Sequence, residues 1–245
     1  MKLKFGTSLV EPEVRWVEEL RDVACDMGWM ENVPNIEVYY MYRDLYLTLE
    51  HKDTIAEHQL RYDITVIPPL KMGLEYVKTL GHYHPHITPG SPYTYPELYE
   101  VLEGEAHYLL QRPANGRLDC IADALIVRAR KGDKVVVPPN YGHVTINPSE
   151  KPLKMANWVC RSFKSVYEPY KLLHGGVYYE LVRGKFVPNR WYADQPDIRV
   201  RSPIEVPELE LVREKPMYDL IGEISLLEYL VVPQNYDWFF NRLYE

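Results

Sequence analysis

The chain has little of what holds small secreted proteins together or carries a protein across a membrane. Only three cysteines occur in 245 residues, Cys25, Cys120 and Cys160. They form no Cys-x-x-Cys pair and leave an odd count, which argues against a disulfide framework and for idle thiols in a reducing compartment. No stretch approaches the roughly 18 uncharged apolar residues of a membrane helix. Residues 1–12 are too poor in apolar residues to act as a signal peptide, so a soluble cytoplasmic protein is expected. Positive charge is short as well: 28 Lys and Arg face 35 Asp and Glu, for a net charge of -7. Nucleic-acid backbones call for clustered Lys and Arg, so no nucleic-acid partner is expected. A small anionic ligand needs only one local pocket and is not excluded. Phenylalanine is scarce, 5 residues against 21 tyrosines. Tyrosine joins an apolar ring to a hydroxyl, which suits sugar pockets, interfaces and half-buried strands alike.

What is present is core material, with 46% of residues hydrophobic. From Pro12, the residues Val14, Val17, Leu20, Ala24 and Met27 recur at near-helical spacing, and Gly28 is a natural stop. From Asn35 the texture is that of strands. Glu37–Leu49 is rich in Tyr, Val and Leu, and Arg61–Ile67 alternates polar and apolar residues before Pro68-Pro69. Glu75–Leu80 is a further short candidate. Leu98–Leu102 and Ala106–Gln111 flank Glu103-Gly104-Glu105, which reads as a hairpin. Ala124–Arg128, Val135–Val137, Val144–Ile146, Lys154–Arg161 and Val177–Val187 continue the series, the last with a turn near Arg183-Gly184. Many short strands without alternating helices predict an antiparallel sandwich or barrel. Pro196–Pro216 reads as an extended arm, and Met217–Leu230 as one last helix. The expected division is a helical segment at 1–34, a barrel at 35–192 and an extension at 193–245.

The chemistry concentrates in Gly81–Gln111 and Val137–Asn147. Residues i and i+2 of a strand point to one face, so His82 and His84 can present two imidazoles to one point inside a barrel. Glu97 and Tyr99 share parity on the next segment, and His143 opens another strand after a Pro-Pro turn. A lone His-x-His pair or a lone Glu is commonplace. Three imidazoles and a carboxylate, all at strand edges among turn residues, form a donor set for Fe(II), Mn(II), Ni(II) or Zn(II). Four ligands leave octahedral positions open for a bidentate substrate. His86 extends the run but reads as a loop residue, His107 as structural, and His51, His58 and His174 have no partner pattern.

These residues resemble the two cupin motifs. Gly132-Asp133, Pro138, Gly142, His143 and Asn147 reproduce the second. The first departs, because the insertion ITPGSPYTY lengthens the gap from His84 to Glu97, while Glu97 to Gly104 keeps its spacing. More closely, Thr79-Leu80-Gly81-His82-Tyr83-His84, Pro96–Gln111 and Val137–Asn147 resemble the cupin-type, archaeal phosphoglucose isomerase family. Pro188-Asn189-Arg190-Trp191 looks like its closing segment. The resemblance covers Asn35–Trp191. It implies an all-β cupin double-stranded β-helix (jelly-roll barrel), here with an N-terminal helix and an extended C-terminal arm. It also implies one divalent metal per subunit, Fe(II) first and Mn, Ni or Zn next, on His82, His84, Glu97 and His143. Glu97 and Tyr99 match catalytic positions, and Thr65, Thr79 and Gly81 match positions near a substrate phosphate. Val159 and Ser165 stand where the family has Tyr and His, and Tyr167 matches a substrate contact.

The implied reaction is interconversion of glucose 6-phosphate and fructose 6-phosphate by a homodimer, either by proton transfer through Glu97 or by a hydride shift. The phosphate is expected against hydroxyls and backbone N–H groups, since no arginine cluster is evident. Fold and metal do not fix a reaction. An Fe(II) dioxygenase, a decarboxylase and a non-catalytic sugar-binding cupin therefore stand as alternatives.

Overall fold

The computed structural model describes residues 2–6 and 8–244. Ten strands build the barrel. In chain order they are β1 (Glu13–Trp16), β2 (Glu37–Tyr42), β3 (Leu60–Ile67), β4 (Glu97–Glu103), β5 (Glu105–Ala114), β6 (Arg117–Arg130), β7 (Lys134–Val137), β8 (Gly142–Ile146), β9 (Leu153–Cys160) and β10 (Arg199–Arg201). The larger sheet has the order β7-β4-β9-β3-β2-β1, and the smaller the order β8-β5-β6-β10. Pairing is antiparallel except between β6 and β10. β1, β2 and β3 follow one another within the larger sheet and β5 and β6 form a hairpin in the smaller one, while the chain crosses between the sheets at β4–β5, β6–β7, β7–β8, β8–β9 and β9–β10, as in the jelly-roll arrangement of a cupin barrel.

That crossing overturns one expectation. Glu103-Gly104-Glu105 does not close a hairpin, because β4 pairs with β7 and β9 while β5 pairs with β6 and β8. Gly104 has φ +84° and a Cβ there would lie 2.7 Å from the carbonyl oxygen of Pro152. The glycine turns a corner from one sheet into the other, a conformation closed to most side chains. The hairpin near Gly184 does form, between Tyr178–Leu181 and Lys185–Pro188.

The N-terminal helix is also corrected. Glu13–Trp16 is an edge strand paired with β2, and only Val17–Leu20 and Met27–Asn32 are α-helical. The apolar spacing still marks burial, since Val17, Leu20 and Ala24 all join the core. The strand expected through Leu49 stops at Tyr42, and Thr48 caps a helix over Leu49–Glu57 by accepting from the His51 N–H. Its mostly polar residues carry little core signal, so the cap is its clearest mark.

The C-terminal residues are a packed cover rather than an extended arm. The outer face of the larger sheet is apolar, with Tyr62, Ile64, Leu98, Val136 and Trp158 buried against Leu209, Met217, Leu227 and Phe239. Burying a residue of this size contributes about 1.5–3 kcal/mol. Met217–Leu230 winds as 3-10 helix with a non-helical break at Glu223. Two polar ties fasten it. The Met217 N–H donates to Glu100 at 2.7 Å, and the Trp158 indole N–H donates to the Met217 carbonyl at 3.0 Å. With its apolar face covered from outside, the larger sheet turns its polar face inward.

Candidate metal centre

The inner face of the larger sheet forms one wall of a cavity of about 650 Å³. Alternation along each strand decides which residues line it. On β3 these are Arg61 and Thr65, on β9 Met155, Asn157 and Val159, and on β4 Glu97 and Tyr99. The segment Thr79–His84 closes the opposite side. It runs along the smaller sheet through the bonds Thr79 N–H to Thr145 O and His82 N–H to His143 O.

Four side chains meet at the cavity, three of them in its lining and His143 fully buried. His82, His84, Glu97 and His143 each offer one ligand atom, and these atoms all lie within 4.8 Å of one another. Glu97 Oε2 is 3.3 Å from His84 Nε2, 3.2 Å from His143 Nε2 and 3.9 Å from His82 Nε2. His82 Nε2 and His84 Nε2 are 3.1 Å apart. Donor atoms around one ion at about 2.1 Å stand roughly 3–4 Å from each other, so the separations suit a single divalent ion.

Two further observations support that fit. Nδ1 of His84 faces the carbonyl oxygen of Tyr95 at 2.8 Å. A carbonyl can only accept, so Nδ1 carries the proton and Nε2 presents its lone pair to the cluster. Tyr95 belongs to the insertion that lengthens the first motif, so the departure from the pattern supplies the ligand's orientation. Glu97 Oε2 is buried with no hydrogen-bond partner, and an orphaned buried carboxylate oxygen is costly unless a cation faces it.

Charge states agree. Burial alone would raise the Glu97 carboxyl, but the His143 and His84 imidazoles outweigh it and hold the group well below the usual carboxylate range. Burial lowers His82 and His143, helped by the neighbouring imidazoles, which keeps both rings neutral. Tyr99 places its hydroxyl 3.0 Å from His143 Nε2. Burial and then the Glu97 charge push it well above the usual phenol range, so it stays protonated.

Of the other expected site residues, Thr65, Thr79, Gly81 and Tyr167 all line the cavity. Thr65 is on β3 in the larger sheet, whereas Thr79 lies along the smaller sheet. Gly81 has φ +83°, and a Cβ there would lie 2.6 Å from the Tyr170 ring. Tyr167 packs against His82 with ring centroids 5.4 Å apart and planes tilted by 46°, and the Arg15 guanidinium lies over its ring. His86 is exposed and apart from the cluster. His107 binds Glu180 at 2.8 Å outside the site.

The expectation of no arginine cluster is corrected. Arg15, Arg43, Arg61, Arg161 and Lys164 line the cavity from four separate segments. Asn157 was also passed over. The alternation of Arg61-Tyr62-Asp63-Ile64-Thr65 held the signal, because either face of that strand could have been the inner one.

A two-sheet antiparallel barrel with three imidazoles and a carboxylate at one end of its cavity defines a cupin with a candidate metal centre. A family model described as Glucose-6-phosphate isomerase (GPI) matches residues 14–197. The chain belongs to that family, and it is an isomerase. The glucose-6-phosphate isomerase of Thermococcus litoralis is 30% identical over 158 residues, 62% of this chain and 73% of that protein. The Pyrococcus furiosus enzyme is 28% identical over the same shares of each chain. Among solved structures, an oxalate decarboxylase from Lactobacillus farciminis in complex with formate aligns over 53% of this chain and 29% of its own. Its identity is 19% and the TM-score 0.35. Among the described residues no helix is long and apolar enough to cross a membrane.

Proposed function

We propose that this chain is a metal-dependent isomerase that interconverts glucose 6-phosphate and fructose 6-phosphate, with Fe(II) the first candidate metal and a homodimer the working assembly. The observation that carries this reading is the convergence of His82, His84, Glu97 and His143 in the cavity of a chain of this family. Manganese, nickel and zinc suit the same mixed donors.

A divalent ion there would supply Lewis acidity toward the adjacent C1 and C2 oxygens of a sugar. The chain's own groups do the rest. Glu97, kept anionic, is the carboxylate placed to carry a proton between neighbouring carbons. Tyr99, kept neutral, is a hydrogen-bond donor beside the reacting oxygens. Thr79 Oγ1 already accepts the Thr145 N–H at 3.0 Å, which leaves its own hydroxyl proton to donate toward the substrate. Thr65, Gly81 and Tyr167 line the path of the sugar chain. Met155, Val159 and Phe163 form an apolar wall that limits water.

A coupled assay for fructose 6-phosphate conversion, run anaerobically with and without chelator, tests the proposal. Activity is expected to vanish on chelation and return with a divalent ion. Full activity in metal-free protein would overturn it. In deuterated solvent, product deuterium indicates proton transfer through Glu97, and its absence indicates a hydride shift.

A further inference from the structure

We propose that Arg61 is the anion-binding group of this cavity, that it grips the terminal phosphoryl group of an open-chain sugar phosphate, and that Asn157 reads a hydroxyl on the carbons between. This rests on the reading above, in which the reacting end of the sugar lies at the histidine cluster.

Strand register lays out the argument. Val159 stands opposite Glu97 on β4 and opposite Arg61 on β3. Asn157 stands opposite Tyr99 and opposite Asp63. Glu97 and Arg61 are therefore two inter-strand steps apart, roughly 10 Å. This backbone spacing is on the scale of an open six-carbon chain and leaves room for the carbonyl end at the cluster and the phosphoryl end toward the arginine.

Arg61 is built to receive an anion. Its Nε donates to both oxygens of Asp63, at 3.0 and 2.9 Å. Its two terminal amino groups have no partner among the described residues, and the side chain is 28% exposed at the cavity. Asp63 is fully buried and also accepts from Arg43 Nη1 at 2.9 Å and from the Asp44 N–H at 2.8 Å. One carboxylate thus holds two guanidiniums, fixing their planes while leaving the free fork of Arg61 to a ligand. A guanidinium fork matches phosphate oxygens in pairs. Asn157 is 4% exposed, lines the cavity and has no side-chain partner among the described residues. Its amide opens only on the cavity, where a ligand hydroxyl can pair with it.

The test uses metal-loaded protein with Arg61→Gln, Arg61→Lys and Thr79→Val. Kinetics are measured on fructose 6-phosphate and on unphosphorylated fructose, with inorganic phosphate as competitor. Arg61→Gln is expected to raise KM for fructose 6-phosphate about tenfold to a hundredfold, the range for one hydrogen-bonded charged contact. It weakens inhibition by phosphate equally and leaves kcat, metal content and activity on fructose near native. Arg61→Lys falls between, because it keeps charge without the fork. Unchanged KM and phosphate inhibition would overturn the proposal, as would equal losses on fructose. So would phosphate sensitivity that follows Thr79→Val instead. If the native protein turns over neither sugar, the isomerase reading fails on its own account. Calorimetric titration of phosphate into native and Arg61→Gln protein then decides the subsite, since phosphate bound at the metal is common to both.

Discussion

Nε2 of His84 lies 3.3 Å from Oε2 of Glu97, while Nδ1 of the same ring donates to a main-chain carbonyl. The ring is thereby held in one tautomer, with its lone pair on the side of the cluster where the carboxylate oxygen, itself without a hydrogen-bond partner, also points. Replacing His84 with Ala removes both the ligand and this orientation. Loss of a supporting contact alone typically costs tenfold to a hundredfold in metal affinity, so loss of the ligand should exceed that. Elemental analysis of His84→Ala is expected to show substoichiometric metal, with activity down at least a hundredfold. Native metal content would remove His84 from the site.

Thr79 has a structural duty besides any contact with substrate, since Oγ1 accepts the Thr145 N–H. Thr79→Val leaves that buried donor unpaired, at about 1–3 kcal/mol. Thr79→Ser keeps the acceptor. Chemical denaturation should therefore show Thr79→Val destabilised by that amount and Thr79→Ser close to native. Equal stability of the two variants would contradict the bond.

Gly81 precedes the first ligand at φ +83°, where a Cβ would meet the Tyr170 ring at 2.6 Å and Val144 Cγ2 at 2.7 Å. Gly81→Ala combines backbone strain with overpacking, each about 1–3 kcal/mol. We expect a lower melting temperature and weaker metal retention, because His82 must shift with its neighbour. Native melting and native metal content in this variant would show that the turn has slack.

Lys134 is almost fully buried. Its ammonium lies 3.2 Å from Glu100 and donates to the Gly132 carbonyl at 2.8 Å and the Lys215 carbonyl at 2.5 Å. Glu100 in turn accepts the Met217 N–H, so this pair fastens the C-terminal cover to the barrel. Lys134→Met strands a buried carboxylate, and breaking such a pair costs about 3–5 kcal/mol. Limited proteolysis should then cut within 205–217 before the barrel. The paired change Lys134→Met with Glu100→Gln should recover part of the loss, and no recovery would argue against the ion pair as the fastening.

Acid should loosen β10 through Asp123. Burial alone would raise this carboxyl, but hydrogen bonds from Arg199 and Tyr141 outweigh it, and its pKa is lowered. A depressed folded-state pKa contributes stability that is present above the ordinary aspartate value, about 3.9, and is lost as pH falls below it. The protection of the amides at residues 199–201, taken relative to their intrinsic hydrogen exchange at each pH, is expected to fall as the pH drops below 4. In Asp123→Asn the protection should already be low at neutral pH and change little below it. Protection that does not change with acid in the native protein would refute the linkage.

Much of the centre was legible in the linear order of residues. His82 and His84 at spacing i, i+2, Glu97 and Tyr99 at the same spacing, and His143 after a Pro-Pro turn are local patterns. Local geometry sends each pair to one face whatever the rest of the chain does. The strand-rich texture predicted the barrel for the same reason, since alternation and turn residues act over a few positions. Which face of a strand turns inward is not a local property. In Arg61–Ile67 both sets of alternating residues are buried, one under the C-terminal cover and the other around the cavity, so only packing could place Arg61 and Asn157 inside. The strand at Glu13–Trp16 and the sheet-to-sheet corner at Gly104 were hidden likewise. An edge strand takes its conformation from the partner it pairs with, and Gly104 reads as a turn whether the chain returns to its own sheet or crosses to the other.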